Sequence, residues 1–332
     1  MRKGYIAWLL LICLPLLLFV GCASSNDTTT TTLSPASTTL TTLAGSTTTT
    51  TNVSTTTSAG GATDPPAATV KLAFVHHSCG ENWLNDSDGG LGVALRDNNY
   101  FVSDTNYGWG PSSIGDNTDI GWWYEWFRGA SSSTYLSALY AESGQNCTYS
   151  RLGSDPGGEN EVIMFKSCFP NSTLTGLTGD PVPAIASNPL RGENWDQGHH
   201  SVANAKGIYI DLLNYFATRQ DKLFIAVTAP PLIDGTYGSN ARYFNDWLVN
   251  DWLASYTHNN VAVFDFYNVL TGPDNHHRWS GGAVQHYTAA GSANTAYYPT
   301  GDPHPNSTGN QKATTEYLPL LNYYYNRWKG NI

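Results

Sequence analysis

Serine, histidine and carboxylate side chains are the groups from which acyl transfer is built, and this chain sets all three where loops begin. An apolar run, Val70, Leu72, Ala73, Phe74 and Val75, stops abruptly at His76-His77-Ser78-Cys79-Gly80. A run of that length closed by small polar residues predicts a buried strand that delivers Ser78 to its carboxyl end. In open α/β sheets, ligands collect outside the carboxyl ends of such strands. A serine hydroxyl becomes a nucleophile only when a base takes its proton, and the base needs a carboxylate to hold its tautomer. Nine histidines are available, and two stretches offer base and acid together: Asp274-Asn275-His276-His277 and Asp302-Pro303-His304-Pro305-Asn306. The doublets His76-His77, His199-His200 and His276-His277 also raise a metal-dependent rival. Adjacent histidines in a strand point to opposite faces, however, which makes each doublet a poor chelate.

These residues need a scaffold, and apolar patterning supplies one. Further strands are predicted at Tyr100-Phe101-Val102, from Glu161 to Lys166, from Leu223 to Val227 and from Val261 to Phe266. Helical spacing relates Leu91, Val93, Ala94 and Leu95; Trp122, Trp123, Trp126 and Phe127; Val202, Ala205, Tyr209, Leu212, Leu213 and Phe216; and Phe244, Trp247, Leu248 and Trp252. A last helix begins near Ser307 and carries Ala313, Tyr317, Leu320 and Leu321, with Pro319 expected to bend it. Strands alternating with helices predict βαβ units, hence a three-layer α/β/α fold with a mostly parallel five-stranded sheet. Right-handed crossovers bring all the strand ends to one edge. Two of those ends carry small and polar residues besides Ser78: Asn106-Tyr107-Gly108-Trp109-Gly110-Pro111 and Ser167-Cys168-Phe169-Pro170-Asn171-Ser172. The piece Asp86-Ser87-Asp88-Gly89 lacks the later ligands of a calcium loop and reads as a turn.

Three segments are distinguishable by composition. Residues 1–22 form a lipoprotein-type signal: a charged start, an apolar core, and a lipobox-like ending at Cys22, which is expected to be acylated. Residues 23–66 are a Thr/Ser-rich linker with too little apolar surface to offset the entropy of ordering. Residues 67–332 are long enough for one domain with a full core. A net charge of -10 argues against nucleic acid, which wants a basic face. Only 13% of residues are charged while Trp (11) and Tyr (20) abound, a composition suited to an extracellular protein that stacks on sugars or other flat ligands. Beyond the signal and Cys22, the cysteines are Cys79, Cys147 and Cys168, an odd number that allows one bridge and one free thiol, or none.

The block His304-Pro305-Asn306 with Gly309 and Ala313, set after the Ser78 stretch, resembles the SGNH hydrolases, or GDSL-type esterases, over about Val70 to Leu321. The serine here follows His76-His77 rather than Gly-Asp, and Asp302 lies two residues before His304 where the family usually has three. Asp274 and His277 keep the usual separation but lack the Pro-Asn context. The resemblance implies a flavodoxin-like sheet, Ser78 as nucleophile, His304 as base and Asp302 as its partner. It implies an oxyanion hole from Ser78, Gly108 and Asn171, with Gly110 competing for the Gly108 role. It also makes the first and third strands neighbours, which implies a Cys79–Cys168 disulfide between their loops. No cofactor or metal is expected. The expected protein is a secreted or surface-anchored serine ester hydrolase and a monomer, held to a membrane through lipidated Cys22. Its substrate would be an acylated glycan or a small or lipid ester. The alternatives are the metal-dependent hydrolase and a non-catalytic carbohydrate-binding lipoprotein of the same fold.

Overall fold

Five strands, β1 (Val70–Val75), β2 (Tyr100–Thr105), β3 (Val162–Lys166), β4 (Leu223–Val227) and β5 (Val261–Phe264), pair in the order β2-β1-β3-β4-β5, every neighbour parallel. This is the flavodoxin-like order anticipated from the sequence. The computed structural model describes residues 61–299 and 301–332. The signal segment, Cys22 and nearly all of the linker lie outside the described residues.

Every residue of the five strands is buried, which is why they read as unbroken apolar runs rather than alternating ones. Successive side chains point to opposite faces and feed two cores. On one face Ala73, Val75, Ile163, Phe165, Phe224 and Val263 pack under α3 (Trp122–Phe127), α4 (Ser132–Ala141), α5 (Val202–Phe216) and α6 (Gly238–Asn250). On the other, Leu72, Phe74, Val102, Met164, Ile225 and Phe264 pack under α1 (Cys79–Leu84), α2 (Leu91–Asp97), α7 (Phe266–Val269) and α8 (Ser307–Lys329). Three layers result, with the strand ends and their loops on one edge. Trp123 and Trp126, set at helical spacing in the sequence, are fully buried.

The differences from the sequence expectation are local. The fifth strand ends two residues early because the Asp265 carboxylate accepts the Asn268 N–H and starts a helix at Phe266. The helix from Ser307 runs through Pro319 to Lys329. A two-stranded antiparallel hairpin, β6 (His276–Ser280) with β7 (Ala283–Tyr287), was not anticipated. It turns at Gly281-Gly282, with φ of 62° and 82°, the signs a tight hairpin turn requires. Among the described residues, no helix is long and apolar enough to cross a membrane.

Candidate active site

Ser78 sits between β1 and α1 with φ 40° and ψ -93°, a conformation that L-residues adopt only when their surroundings force it. The surroundings are visible. Gly80 lies against the His76 side chain so closely that a Cβ there would come within 2.4 Å of His76 Cβ. His76 Nε2 is bonded to Asp104 Oδ2 of β2 at 3.2 Å, and both side chains are fully buried. His77 turns the other way: its Nε2–H donates to the Gly115 carbonyl, and its Nδ1 accepts from Thr118 Oγ1 at 3.1 Å. The ring is kept neutral by its burial, which pushes the His77 pKa down to about 4. The two residues before the serine are therefore pinned on opposite sides, and the sharp turn at Ser78 follows.

His304 reaches Ser78 from the loop before α8. Ser78 Oγ and His304 Nε2 are hydrogen-bonded. On the far side of the ring, His304 Nδ1 lies 2.9 Å from Asp302 Oδ1, and the same oxygen accepts the His304 backbone N–H at 2.9 Å. These two bonds hold the Asp302 carboxyl below the ordinary carboxylate range. The partners define the tautomer: Nδ1–H donates to Asp302 and Nε2 accepts the serine proton. The loop is anchored just downstream, where Asn306 Oδ1 accepts the Gly309 N–H at 2.9 Å and the Asn306 N–H donates to Tyr297 O at 2.7 Å. Gly309 is needed there, since a Cβ would meet Tyr297 Cβ at 2.5 Å. Phe169 sets its ring edge-on to His304, with centroids 5.5 Å apart.

The expected oxyanion donors have the following partners in this structure. The Ser78 amide has no acceptor among the described residues. Gly108, at φ 75°, gives its amide to Asp116 Oδ1 at 2.7 Å. Asn171 is buried in the 3-10 turn Phe169–Ser172; its Nδ2 donates to Asp119 Oδ1 at 2.5 Å and its Oδ1 accepts the Ile120 N–H at 2.8 Å. In this arrangement Asn171 therefore fastens the Asp119-Ile120 loop to the turn. Burial raises the Asp119 pKa, and the bond from Asn171 opposes that rise. The Cys79 and Cys168 sulfurs, which the resemblance implied would be bridged, are neighbours at 3.6 Å and stand here as a hydrogen-bonded pair of thiols.

The second acid–base stretch does not assemble. His277 is fully buried, its Nδ1 accepts the Asp265 N–H at 3.0 Å, and its backbone N–H donates to Glu316. The nearby bond of Asp274 is made by its carbonyl, to His276 Nδ1 at 2.9 Å. The two rings of each doublet have separate partners: His199 pairs with Glu193, His200 with the Thr173 carbonyl, and His76, His77, His276 and His277 have the partners just given. Two groups that sequence reasoning missed do have ligand-like spacing, His76 with Asp104 and Cys147, and Asp246 with Asp265 and His286. In the second, Asp265 is saturated by Asn268 N–H and Nδ2, Thr228 Oγ1 and His286 Nε2. The first is a buried His–Asp pair joining β1 to β2, with the Cys147 sulfur 3.9 Å from the ring. The apolar run into His76 hinted at its burial, but nothing local marked Asp104 or Cys147 as its neighbours.

No family model and no curated protein matches the chain. Among solved structures, it is similar to a carbohydrate esterase whose active site displays divergent catalytic and non-catalytic binding functions, at 15% identity over 79% of this chain and 68% of that one, TM-score 0.36. It is also similar to a family two carbohydrate esterase from Clostridium thermocellum in complex with cellohexaose, at 11% identity over 81% of this chain and 67% of that one, TM-score 0.35. An acetyl xylan esterase from the rumen bacterium Butyrivibrio proteoclasticus is similar at 12% identity over 77% and 64% of the two chains, TM-score 0.33. Similarity at this level assigns neither activity nor substrate.

Proposed function

We propose that the chain is a serine ester hydrolase of SGNH type working through an acyl-enzyme. The observation that carries the reading is the unbroken hydrogen-bonded series from Ser78 Oγ through His304 to Asp302, assembled from residues 226 positions apart in the chain. Ser78 attacks the ester carbonyl carbon while His304 Nε2 takes the hydroxyl proton. Asp302 holds the imidazole in the accepting tautomer and stabilises the imidazolium that forms. His304 then returns the proton to the leaving alcohol, and water, deprotonated by the same nitrogen, releases the acid. The Ser78 amide is the available donor to the oxyanion, and Gly108 joins it where Asp116 yields its amide.

An acyl group on a glycan is the substrate class this reading favours. Tyr107 is 63% exposed and stacks on His77, ring centroids 4.0 Å apart, one residue from the serine. An exposed aromatic face held rigidly beside a nucleophile suits the flat face of a sugar ring. The reading includes export through the 1–22 signal and anchoring at an acylated Cys22, with the 23–66 segment as a stalk. Both rest on the sequence pattern alone.

Hydrolysis of p-nitrophenyl acetate by the purified protein tests the mechanism. Wild type is expected to turn over without added metal and to be indifferent to EDTA. Ser78→Ala is expected to lose at least about 1,000-fold in kcat/KM. Activity that survives the alanine change sinks the serine mechanism.

A further inference from the structure

Cys79 and Cys168 follow the adjacent strands β1 and β3, whose register pairs Val75 with Phe165. Parallel neighbours place the residues just beyond their ends side by side, so the proximity of the two sulfurs is built into the sheet. Their 3.6 Å separation is direct contact, with one S–H···S hydrogen bond between them. Cys147 is elsewhere, against His76, which resolves the odd count into a pair and a single thiol. We propose that Cys79 and Cys168 form a reversible dithiol–disulfide couple which, when oxidised, ties the Ser78 loop to the Phe169–Ser172 turn and leaves Cys147 free.

The two thiols are not equivalent. Cys79 is fully buried, and burial pushes its pKa up. Cys168 is half-buried; the hydrogen bond it shares with Cys79 holds its thiol below the ordinary range, helped by Lys166 and by the backbone N–H groups of Cys79 and Phe169. Lys166 is itself fully buried, and among the described residues its ammonium has no carboxylate partner, only the Ser167 carbonyl at 3.3 Å. A positive charge on Lys166, two residues before Cys168, favours the thiolate there. Cys168 is thus the attacking thiol and Cys79 the resolving one.

The oxidant is a small-molecule disulfide or a disulfide oxidoreductase. The Cys168 thiolate attacks one of its sulfurs, forming a mixed disulfide and expelling one thiolate. Cys79, losing its proton, then attacks Cys168 Sγ and expels the second. Two protein thiols are oxidised, one disulfide is reduced to two thiols, and the two protons end on the released sulfurs. A stabilised Cys168 thiolate favours the reduced side, so the bridge is the easily reduced kind rather than an inert staple.

The test reads thiols, so its failure is separate from any failure of the hydrolase reading. The full chain is reduced with dithiothreitol, split, and one half is oxidised with oxidised glutathione. Both halves are unfolded, alkylated with iodoacetamide and mapped by peptide mass. After oxidation, the Cys79 and Cys168 peptides are expected as one linked species lacking two hydrogens, with Cys147 alkylated; dithiothreitol restores alkylation of Cys79, Cys147 and Cys168. Cys147→Ser should give the same linked species, and Cys168→Ser none. Full alkylation of Cys79 and Cys168 after oxidation, or a link through Cys147, overturns the proposal.

Discussion

Asp302 stands two residues before His304, one fewer than the resembled family uses, and the short spacing has a structural counterpart. A carboxylate can take the backbone N–H two residues on as an Asx turn, and Asp302 Oδ1 does so while also taking the His304 ring. One oxygen therefore orients backbone and imidazole together. Asp302→Asn keeps the shape but can offer Nδ1 a donor instead of an acceptor. Since Asp302 is 52% exposed, water softens the loss, and kcat on p-nitrophenyl acetate is expected to fall about 100-fold with KM nearly unchanged. A kcat within tenfold of wild type would remove Asp302 from the mechanism. The His-Pro-Asn context made the Asp302–His304 pair legible, whereas the partner of Asn171 was not. Where that amide points depends on a 3-10 turn and on Asp119, 52 residues earlier in the chain, and no local pattern encodes such a partner.

At the scale of elements, the five strands were legible because burial on both faces leaves no polar position to blur the run. The β6–β7 hairpin was missed for the opposite reason. Its residues are mostly half-buried or exposed and carry little alternation, so Gly281-Gly282 was its one strong sign. The start of α8 shows how an element places a site residue. Asn306 caps the helix through Gly309 N–H, and the same turn delivers His304 two residues upstream. Asn306→Ala removes the cap and is expected to cost about 1 kcal/mol of unfolding free energy in urea. The His304 loop should also loosen, lowering kcat several-fold while Ser78 and Asp302 remain. An unchanged urea midpoint would show that the Tyr297 bond and Gly309 packing alone hold the turn.

For the whole molecule, acid is the expected weakness, because the fold buries imidazoles in neutral form. Burial lowers His277 to about 3 and His77 to about 4, and it lowers His200 as well. The geometry agrees most firmly at His277, whose Nδ1 accepts the Asp265 N–H, which an imidazolium cannot do. In the unfolded chain these rings take up protons near pH 6.5, while the native rings do so only well below it. From that pH downward the unfolded state therefore binds more protons, and stability falls as pH falls through the window down to about 4. His286 runs the other way: bonded to Asp265, its pKa is raised, so its contribution is complete below pH 6.5 and is lost only at higher pH. It adds no slope in the acid window and cannot compensate. Asp265, lowered by His286 and Asn268, withdraws its support only below the ordinary carboxylate range. His77 and His277 together should then cost about 3 kcal/mol per pH unit near pH 5, at about 1.4 kcal/mol for each ring. Urea unfolding at pH 7, 6 and 5 measures the slope, and His277→Gln, whose amide oxygen can still accept the Asp265 N–H, should roughly halve it. A flat stability from pH 7 to 5 would mean that these rings are charged in the native protein and would overturn their burial in neutral form.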